Sequence, residues 1–238
     1  MDSISLKHIK NGKLQVSIVI LLAVFTIFSA LFALGIGSSE NLDFFTTVKF
    51  IFGFEEPTDL QSAIIWELRF PRILMAIIGG VALATAGALM QGCLGNPLVS
   101  PLTLGVASGA ALGAALAIVL GISIVSIPEL AIVANSFVFS LIVVFIIIQL
   151  GKMTSLTAES YILVGIAITF ICGAIVSTMQ YFATDAQLSQ LAHWSFGSLS
   201  RPDLTDVLWI SVVVIGLLPT AMKWSWDLNA ISLGGDEF

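Results

Sequence analysis

Two arginines, Arg69 and Arg72, stand on either side of Pro71 in the stretch ELRFPR, directly before a long apolar segment. An arginine presents its N–H donors in a planar fork that matches the geometry of a carboxylate. The pair therefore predicts a docking site for an acidic partner. A second interpretation is that the two side chains reach along apolar surface to water, or pair locally with Glu67. Pro71 fits both interpretations, because proline is tolerated in the first turn of a helix.

A polar break interrupts the apolar segment that follows. The stretch QGCLGNPLVSP, residues 91–101, contains an Asn-Pro pair at Asn96 and Pro97. Asn-Pro favours the start of a turn, and both Pro97 and Pro101 oppose ordinary helix continuation. The turn joins two apolar segments, so it is either a purely structural connection or a constriction beside a path lined by those helices.

The composition indicates a membrane protein. Apolar residues make up 58% of the 238 residues and charged residues only 10%, against about 25% charged in soluble proteins. Backbone polar groups that face lipid need internal partners, so we predict an all-α polytopic fold in a single domain over residues 1–238. The uncharged stretches predict six spans, over residues 14–36, 72–91, 101–120, 129–150, 160–181 and 206–222.

The orientation follows from the N-terminal lysines. Lys7, Lys10 and Lys13 precede the first span and place the N-terminus in the cytoplasm. The first apolar run is longer than the core of a signal peptide and five more spans follow, so an uncleaved helix is favoured. Alternation then puts the arginine pair on the outer side and the Asn-Pro turn on the cytoplasmic side.

Small residues recur at helical spacing in the second and third spans. Gly105, Gly109 and Gly113 are four residues apart, and Gly80 and Gly87 lie in the preceding span. Small residues at this spacing let helix backbones approach closely in lipid. We therefore predict that these glycines serve helix packing and that spans 2 and 3 form a compact pair.

Several kinds of chemistry have no residues to support them. No Asp, Glu, Lys, Arg or His lies deep in a predicted span, whereas ion-coupled pumps use such groups. The metalloprotease, hydrolase and P-loop motifs do not occur. The chain is therefore predicted to be a non-enzyme without metal or cofactor. If it transports a solute uphill, another subunit must supply the energy. Cys93 and Cys172 are expected to be packing residues, and the net charge of −6 does not predict a nucleic-acid partner.

The motifs together resemble a known family. RFPR followed by GGVALATAGALMQGCLGNPLVSPLTLGVASGAALGAALA is similar to the permeases of ABC importers for iron chelates and vitamin B12, the FecCD-type or type II importers. YILVGIAIT at 161–169, WSFGSLSRPD at 194–203 and WSWDLNAISLGGDEF at 224–238 extend the similarity in family order. The resemblance implies the N-terminal part of a ten-helix permease, truncated after its sixth helix, with residues 223–238 beginning a cytoplasmic coupling segment.

The resemblance also implies partners and residue roles. It implies a bacterial inner-membrane subunit that pairs with a second, identical or paralogous permease, a cytoplasmic ATPase dimer and an extracytoplasmic substrate-binding protein. The implied roles are docking of the binding protein for Arg69 and Arg72, a cytoplasmic gate for Asn96, Pro97 and Leu98, and ATPase coupling for Asn229, Leu233 and Gly234.

The implied substrate is an iron chelate, either a ferric siderophore or haem, and vitamin B12 is the alternative within the family. Two alternatives belong to other classes: an ion-coupled secondary transporter, and a fragment without function of its own.

Overall fold

The computed structural model describes residues 3–37, 42–154, 157–200 and 202–234, and this part of the chain is helical without any strand. A π-helical turn, Ile64–Arg69, joins the third and fourth helices. The all-α prediction is confirmed. The α-helices are α1 (Ser3–Gly35), α2 (Phe44–Ile51), α3 (Asp59–Ala63), α4 (Phe70–Leu94), α5 (Val106–Val119), α6 (Pro128–Thr154), α7 (Ala158–Phe182), α8 (Asp185–Phe196) and α9 (Leu204–Gly234).

Five helical segments of the described chain are long and apolar enough to cross a membrane. They are Gly12–Gly35, Asp59–Leu94, Leu130–Met153, Glu159–Phe182 and Leu204–Leu228. Each corresponds to a predicted span. The second is much longer than predicted, because the chain is already helical from Asp59 and continues through the π-turn and α4. The last helix also continues beyond residue 222, to Gly234.

The third predicted span differs from the observed helix. Residues 101–105 form turns, and α5 begins only at Val106 and has 14 residues, fewer than the roughly 20 of a full crossing. Gly105 precedes the helix with a φ of 77°, a conformation that favours glycine. Irregular backbone is tolerated at membrane depth where protein surrounds it, and residues 99–104 contribute Val99 and Leu104 to a buried apolar cluster.

The helices divide into two compact units, and the first comprises Met1–Ile78 with Leu199–Ser211. Within it, α2 packs on the end of α1, with the rings of Phe32 and Phe44 5.6 Å apart. Asp43 caps α2 by accepting the N–H of Thr46 at 2.9 Å, and hydrogen bonding with Thr46 lowers the pKa of Asp43. Lys49 donates to Glu55 at 2.6 Å, which raises the pKa of Lys49.

The second unit, Gly79–Ser198 with Val212–Phe238, is built around α5. α5 packs against α6, α7 and α8. One buried cluster consists of Val99, Leu104, Val143 and Ile147. The other consists of Ala114, Ala115, Ile118 and Leu191, with Trp194 packed against it. The two clusters hold α5 against α6, α7 and α8.

Three glycines make the close approach to α5 possible. A Cβ on Gly109 would lie 2.5 Å from Cγ2 of Val143, and one on Gly113 would lie 2.7 Å from the carbonyl carbon of Asn135 in α6. A Cβ on Gly105 would lie 2.8 Å from the carbonyl oxygen of Gly165 in α7. All three positions exclude a side chain, because the facing atoms include backbone.

The predicted compact pair of spans 2 and 3 is not the arrangement observed. The smooth face of α5 is turned to α6 and α7, and a Cβ on Gly80 or Gly87 of α4 would meet nothing within 4 Å in the described chain. Spacing alone identifies a smooth helix face but carries no information about which helix lies against it. α4 reaches the first cluster through Met90 and Leu94 near its end.

The α5–α6 contact predicts a contrast between two glycines. Gly113→Ala should destabilise the protein by about 1–3 kcal/mol, because its Cβ meets the α6 backbone. Gly80→Ala is the control, and should leave stability unchanged or slightly higher because its Cβ enters open space. Thermal unfolding of both variants in detergent measures the difference, and equal melting temperatures would contradict this account of the packing.

Candidate functional site

The π-turn sets the position of the two arginines. Pro71 lies inside the continuous helical segment Asp59–Leu94, where a proline has no N–H to donate and its ring crowds the carbonyl one turn earlier. The π-turn Ile64–Arg69 directly precedes it, and the N–H of Phe70 bonds to the carbonyl of Ile65, five residues back. The π-turn holds one residue more than an α-helical turn, so the side chains that follow it point in other directions than in a continuous α-helix.

Arg69 points into the protein. Its side chain is only 8% exposed, and its Nη1 donates to the carbonyl oxygen of Leu34 at 2.6 Å. Leu34 is in the last turn of α1, where the carbonyls have no partner within the helix. The guanidinium also fills the space beside Gly37, where an added Cβ would lie 2.7 Å from Cζ of Arg69. Arg69 thus links the end of α1 to the π-turn, through a hydrogen bond and through packing beside Gly37.

Arg72 is exposed, in contrast to Arg69. Glu67 is exposed as well, and no ion pair joins it to either arginine in the part of the chain that the structure describes. The pairing with Glu67 considered from the sequence is therefore absent. The structure separates the two predicted docking residues into a buried one, which holds the end of α1, and one that remains accessible to a partner.

The Asn-Pro-Leu turn is held by hydrogen bonds at the end of α4. Gly95 has a φ of 56°, and the N–H of Asn96 bonds to the carbonyl of Gln91 at 3.2 Å. Oδ1 of Asn96 accepts the N–H of Leu98 at 2.9 Å. The side chain of Leu98 is 81% exposed, whereas the next residue, Val99, is 1% exposed. The turn therefore presents one apolar side chain on a fixed backbone.

An apolar groove runs between α4 and α9 in the second unit. One part of it has a volume of about 500 Å³, with the small residues Ala84, Ala88 and Gly92 on one side. Met222 and Leu228 of α9 are among the residues that face them. The small residues of α4 thus border this groove rather than α5, and the lining offers no charged group for binding an ion.

The predicted coupling residues lie at the end of the described chain. Asn229, Leu233 and Gly234 are in the last turns of α9, so the backbone there is helical. Their side chains lie outside what the structure describes, and their contact with an ATPase stays a prediction.

Three polar side chains that the sequence analysis did not single out hold helix ends and loops. Gln187 accepts the N–H of Thr184 at 2.9 Å and donates to the carbonyl of Val119, near the end of α5, at 3.1 Å. Asn135, which is 1% exposed, donates to the carbonyl of Ile122 at 2.7 Å. The third is Gln91, which donates to carbonyls of the Asn-Pro-Leu turn.

Only part of this was accessible from sequence signals. The Thr-x-x-Gln spacing of residues 184–187 is the signature of a capping box, and the structure contains that box. Asn135 is an amide within an apolar span, which indicates that it needs hydrogen-bond partners but does not identify them. His193 and Trp194, which lie between the fifth and sixth predicted spans, are in α8.

The described residues hold no group of three His, Cys, Asp or Glu side chains suited to a metal ion. Cys93 is exposed and Cys172 is buried, and neither is in a disulfide.

Comparison with known proteins places this arrangement among transport proteins. The profile of the FecCD transport family matches residues 21–237. MJ0087 of Methanocaldococcus jannaschii, named as an ABC transporter permease protein, is 36% identical over 231 residues, 93% of this chain and 64% of its own. The hemin transport system permease protein HmuU of Yersinia pestis is 33% identical over 73% of this chain and 52% of its own.

A vitamin B12 import system permease protein, BtuC of Klebsiella pneumoniae, is 32% identical over 71% of this chain and 50% of its own. A solved structure described as an inward-facing conformation of a metal-chelate type ABC transporter superposes with a TM-score of 0.74 at 27% identity. That match covers 91% of this chain and 65% of the other. The chain thus spans between half and two thirds of the length of these proteins.

The buried position of Arg69 predicts that the two arginines differ in their effect on stability. Arg69→Met should lower the free energy of unfolding by about 2 kcal/mol, because a charge-assisted hydrogen bond to Leu34 is lost. Arg72→Met, at an exposed position, should change it by less than about 0.5 kcal/mol. Thermal unfolding in detergent compares them, and a larger loss for Arg72→Met would contradict the assignment of Arg69 as the clamp.

Proposed function

The chain belongs to the FecCD transport family, and we propose that it forms part of the membrane-spanning permease of an ABC importer that takes up an iron chelate. The observation that carries the proposal is the family match over residues 21–237, which includes the arginine pair, the Asn-Pro-Leu turn and all of α9. A substrate-binding protein delivers the chelate from outside, a cytoplasmic ATPase dimer supplies the energy, and a second permease subunit completes the path.

The substrate class is supported by the substrates for which the similar proteins are named. Its relatives are named for hemin and for vitamin B12, and its structural neighbour for a metal chelate. Each of these substrates is a metal ion enclosed by an organic ligand. Such a substrate presents the ligand's surface rather than a bare cation, so a path without charged side chains suits it. We propose a ferric siderophore or haem first and vitamin B12 as the alternative.

In this mechanism, Arg72 meets an acidic side chain of the binding protein at the outer face. Its exposure supports that role. Arg69, which was expected to share the role, contributes from within, because its bond to Leu34 holds the π-turn that precedes the first turn of α4, where Arg72 lies. In this proposal Arg72 binds the partner, and Arg69 holds the helix that carries Arg72.

The Asn-Pro-Leu turn is the proposed cytoplasmic gate. Leu98 is the apolar side chain that projects from it, and an apolar residue can block a path for a hydrated solute without binding it. The path reopens when the end of α4 and its turn change position. An ATPase drives such a change only if it binds the two permease states with different affinity.

The energy source distinguishes this proposal from its rivals. An ion-coupled secondary transporter should carry titratable or charged groups at membrane depth, and none was found deep in the predicted spans. A fragment without function of its own would not support uptake in any combination with partner subunits.

The proposal is tested by uptake into proteoliposomes. The protein is reconstituted with its candidate ATPase and binding protein, and ⁵⁵Fe-siderophore, haem and cyanocobalamin are offered in parallel with and without internal ATP. ATP-dependent uptake of an iron chelate is expected. ATP-dependent uptake of cyanocobalamin alone would move the substrate to the alternative, and uptake driven by an ion gradient without ATP would overturn the importer assignment.

Docking predicts a charge effect at Arg72. Arg72→Glu should weaken binding of the loaded binding protein by roughly tenfold or more, because an attractive charge pair becomes repulsive. Lys49→Glu is the matched control, since it reverses a charge on the same predicted outer side, at a residue that is paired with Glu55. Binding is measured by surface plasmon resonance on nanodiscs. Equal affinity of Arg72→Glu and unaltered protein would refute the docking role.

Coupling predicts an effect at the end of α9. The double variant Asn229→Ala and Leu233→Ala should fail to co-purify with the ATPase subunit, because it removes the side chains proposed to contact it. Ser225→Ala, one turn earlier, is the control and should co-purify normally. Co-purification in detergent is the measurement, and retention of the ATPase by the double variant would place the contact elsewhere.

A further inference from the structure

We propose that Gln91 is a positioning residue that ties the Asn-Pro-Leu turn to the last turn of α4, so that Leu98 moves with α4 as one body. The inference rests on the proposed gate function of this turn. It concerns a residue outside the predicted gate, and it specifies how the gate moves.

The backbone of Gln91 closes the end of the helix. Gly95 adopts the left-handed conformation that commonly ends helices, with a φ of 56°. The N–H of the next residue, Asn96, reaches back to the carbonyl of Gln91 at 3.2 Å. This is the 6→1 hydrogen bond of the Schellman motif, and its acceptor is the carbonyl of Gln91. The turn therefore begins directly after the helical turn that contains Gln91.

The side chain of Gln91 then reaches across the turn. Its Nε2 lies 3.1 Å from the carbonyl oxygen of Pro97 and 3.4 Å from that of Val99. A primary amide has two N–H donors, so one side chain can serve both carbonyls. The bonds enclose Leu98 from both sides, because they hold the residue before it and the residue after it.

The far end of the turn is anchored as well. Val99 is buried in a cluster with Val143 and Ile147. After it, the N–H of Ser100 donates to Oγ1 of Thr103 at 2.9 Å. The backbone N–H groups of Asn96, Leu98, Val99 and Ser100 are therefore paired, while the side chain of Leu98 is exposed.

These bonds decide between two ways of moving the gate. If the turn refolded, the bonds from Gln91 to Pro97 and Val99 would break. If the end of α4 shifts with the turn attached, they persist, and the displacement of the helix is transmitted to Leu98. The geometry favours the second.

The test measures the distance from α4 to the turn. Spin labels are placed at L83C and L98C, both exposed sites, in a background with Cys93→Ser because Cys93 is exposed. Pulsed electron spin resonance is recorded on the assembled importer in nanodiscs, at rest and with ATP bound. Gln91→Met removes the donors and nearly keeps the volume. Gln91→Glu removes them in a second way, should the first variant fail to assemble.

The matched control is Gln149→Met, because Gln149 lies near the end of α6 and its side chain has no hydrogen bond to any residue that the structure describes. We expect one narrow distance in unaltered protein and in the control, the same at rest and with ATP. In the Gln91 variants, the fraction of molecules that show this distance should fall by roughly fivefold or more relative to the fraction at other distances, because the turn is no longer held.

Two results would overturn the tether: a Gln91 variant with a distribution as narrow as that of unaltered protein, or a distance in unaltered protein that changes when ATP binds. Uptake by unlabelled protein, with Leu98 and Leu83 in place, separates this from failure of the proposed function. If unaltered protein takes up no metal chelate with ATP while the distances behave as expected, the tether stands and the gate assignment falls.

Discussion

The structure depends on pairing backbone carbonyls at helix ends and in the loops that follow them. In a low-dielectric surrounding such groups are costly unless a donor reaches them. Among the described residues, four polar side chains supply such donors: Arg69 to Leu34, Gln187 to Val119, Asn135 to Ile122, and Gln91 to the turn after α4. Each donor lies on a different segment from the carbonyl that it bonds. Each bond therefore also fixes the position of one segment relative to the other.

The same constraint explains how the short helix α5 is accommodated. With 14 residues it is too short to span the hydrocarbon region alone. α6, α7 and α8 surround it, Gln187 pairs a carbonyl near its end, and hydrogen-bonded turns precede it. Glycines at 109 and 113 bring the α6 backbone into contact, so dispersion contacts replace the lipid on that face. Packing and polar pairing act together.

The two residues proposed to act in transport are exposed, and hydrogen bonds hold the backbone near each of them. Arg72 and Leu98 are the accessible groups at the two proposed working positions, and each projects from backbone held by a neighbour, Arg69 in one case and Gln91 in the other. A docking residue and a gate residue both need defined positions, since a loosely held side chain spends binding energy on becoming ordered. In both places the sequence motif therefore contains the supporting residue as well as the exposed one, three residues apart at Arg69 and Arg72 and seven apart at Gln91 and Leu98.

The sequence by itself determined the class of protein: its apolar runs specify membrane-crossing helices, its turns specify where they are interrupted, and its motifs resemble the FecCD family. These properties are local, because helical periodicity and turn chemistry depend on neighbours along the chain. Only the tertiary structure decided which way Arg69 and Arg72 point, that α5 packs on α6 rather than α4, and that Gln91 reaches over the turn. Those properties depend on partners distant in sequence or on side-chain direction, and residue spacing does not encode either.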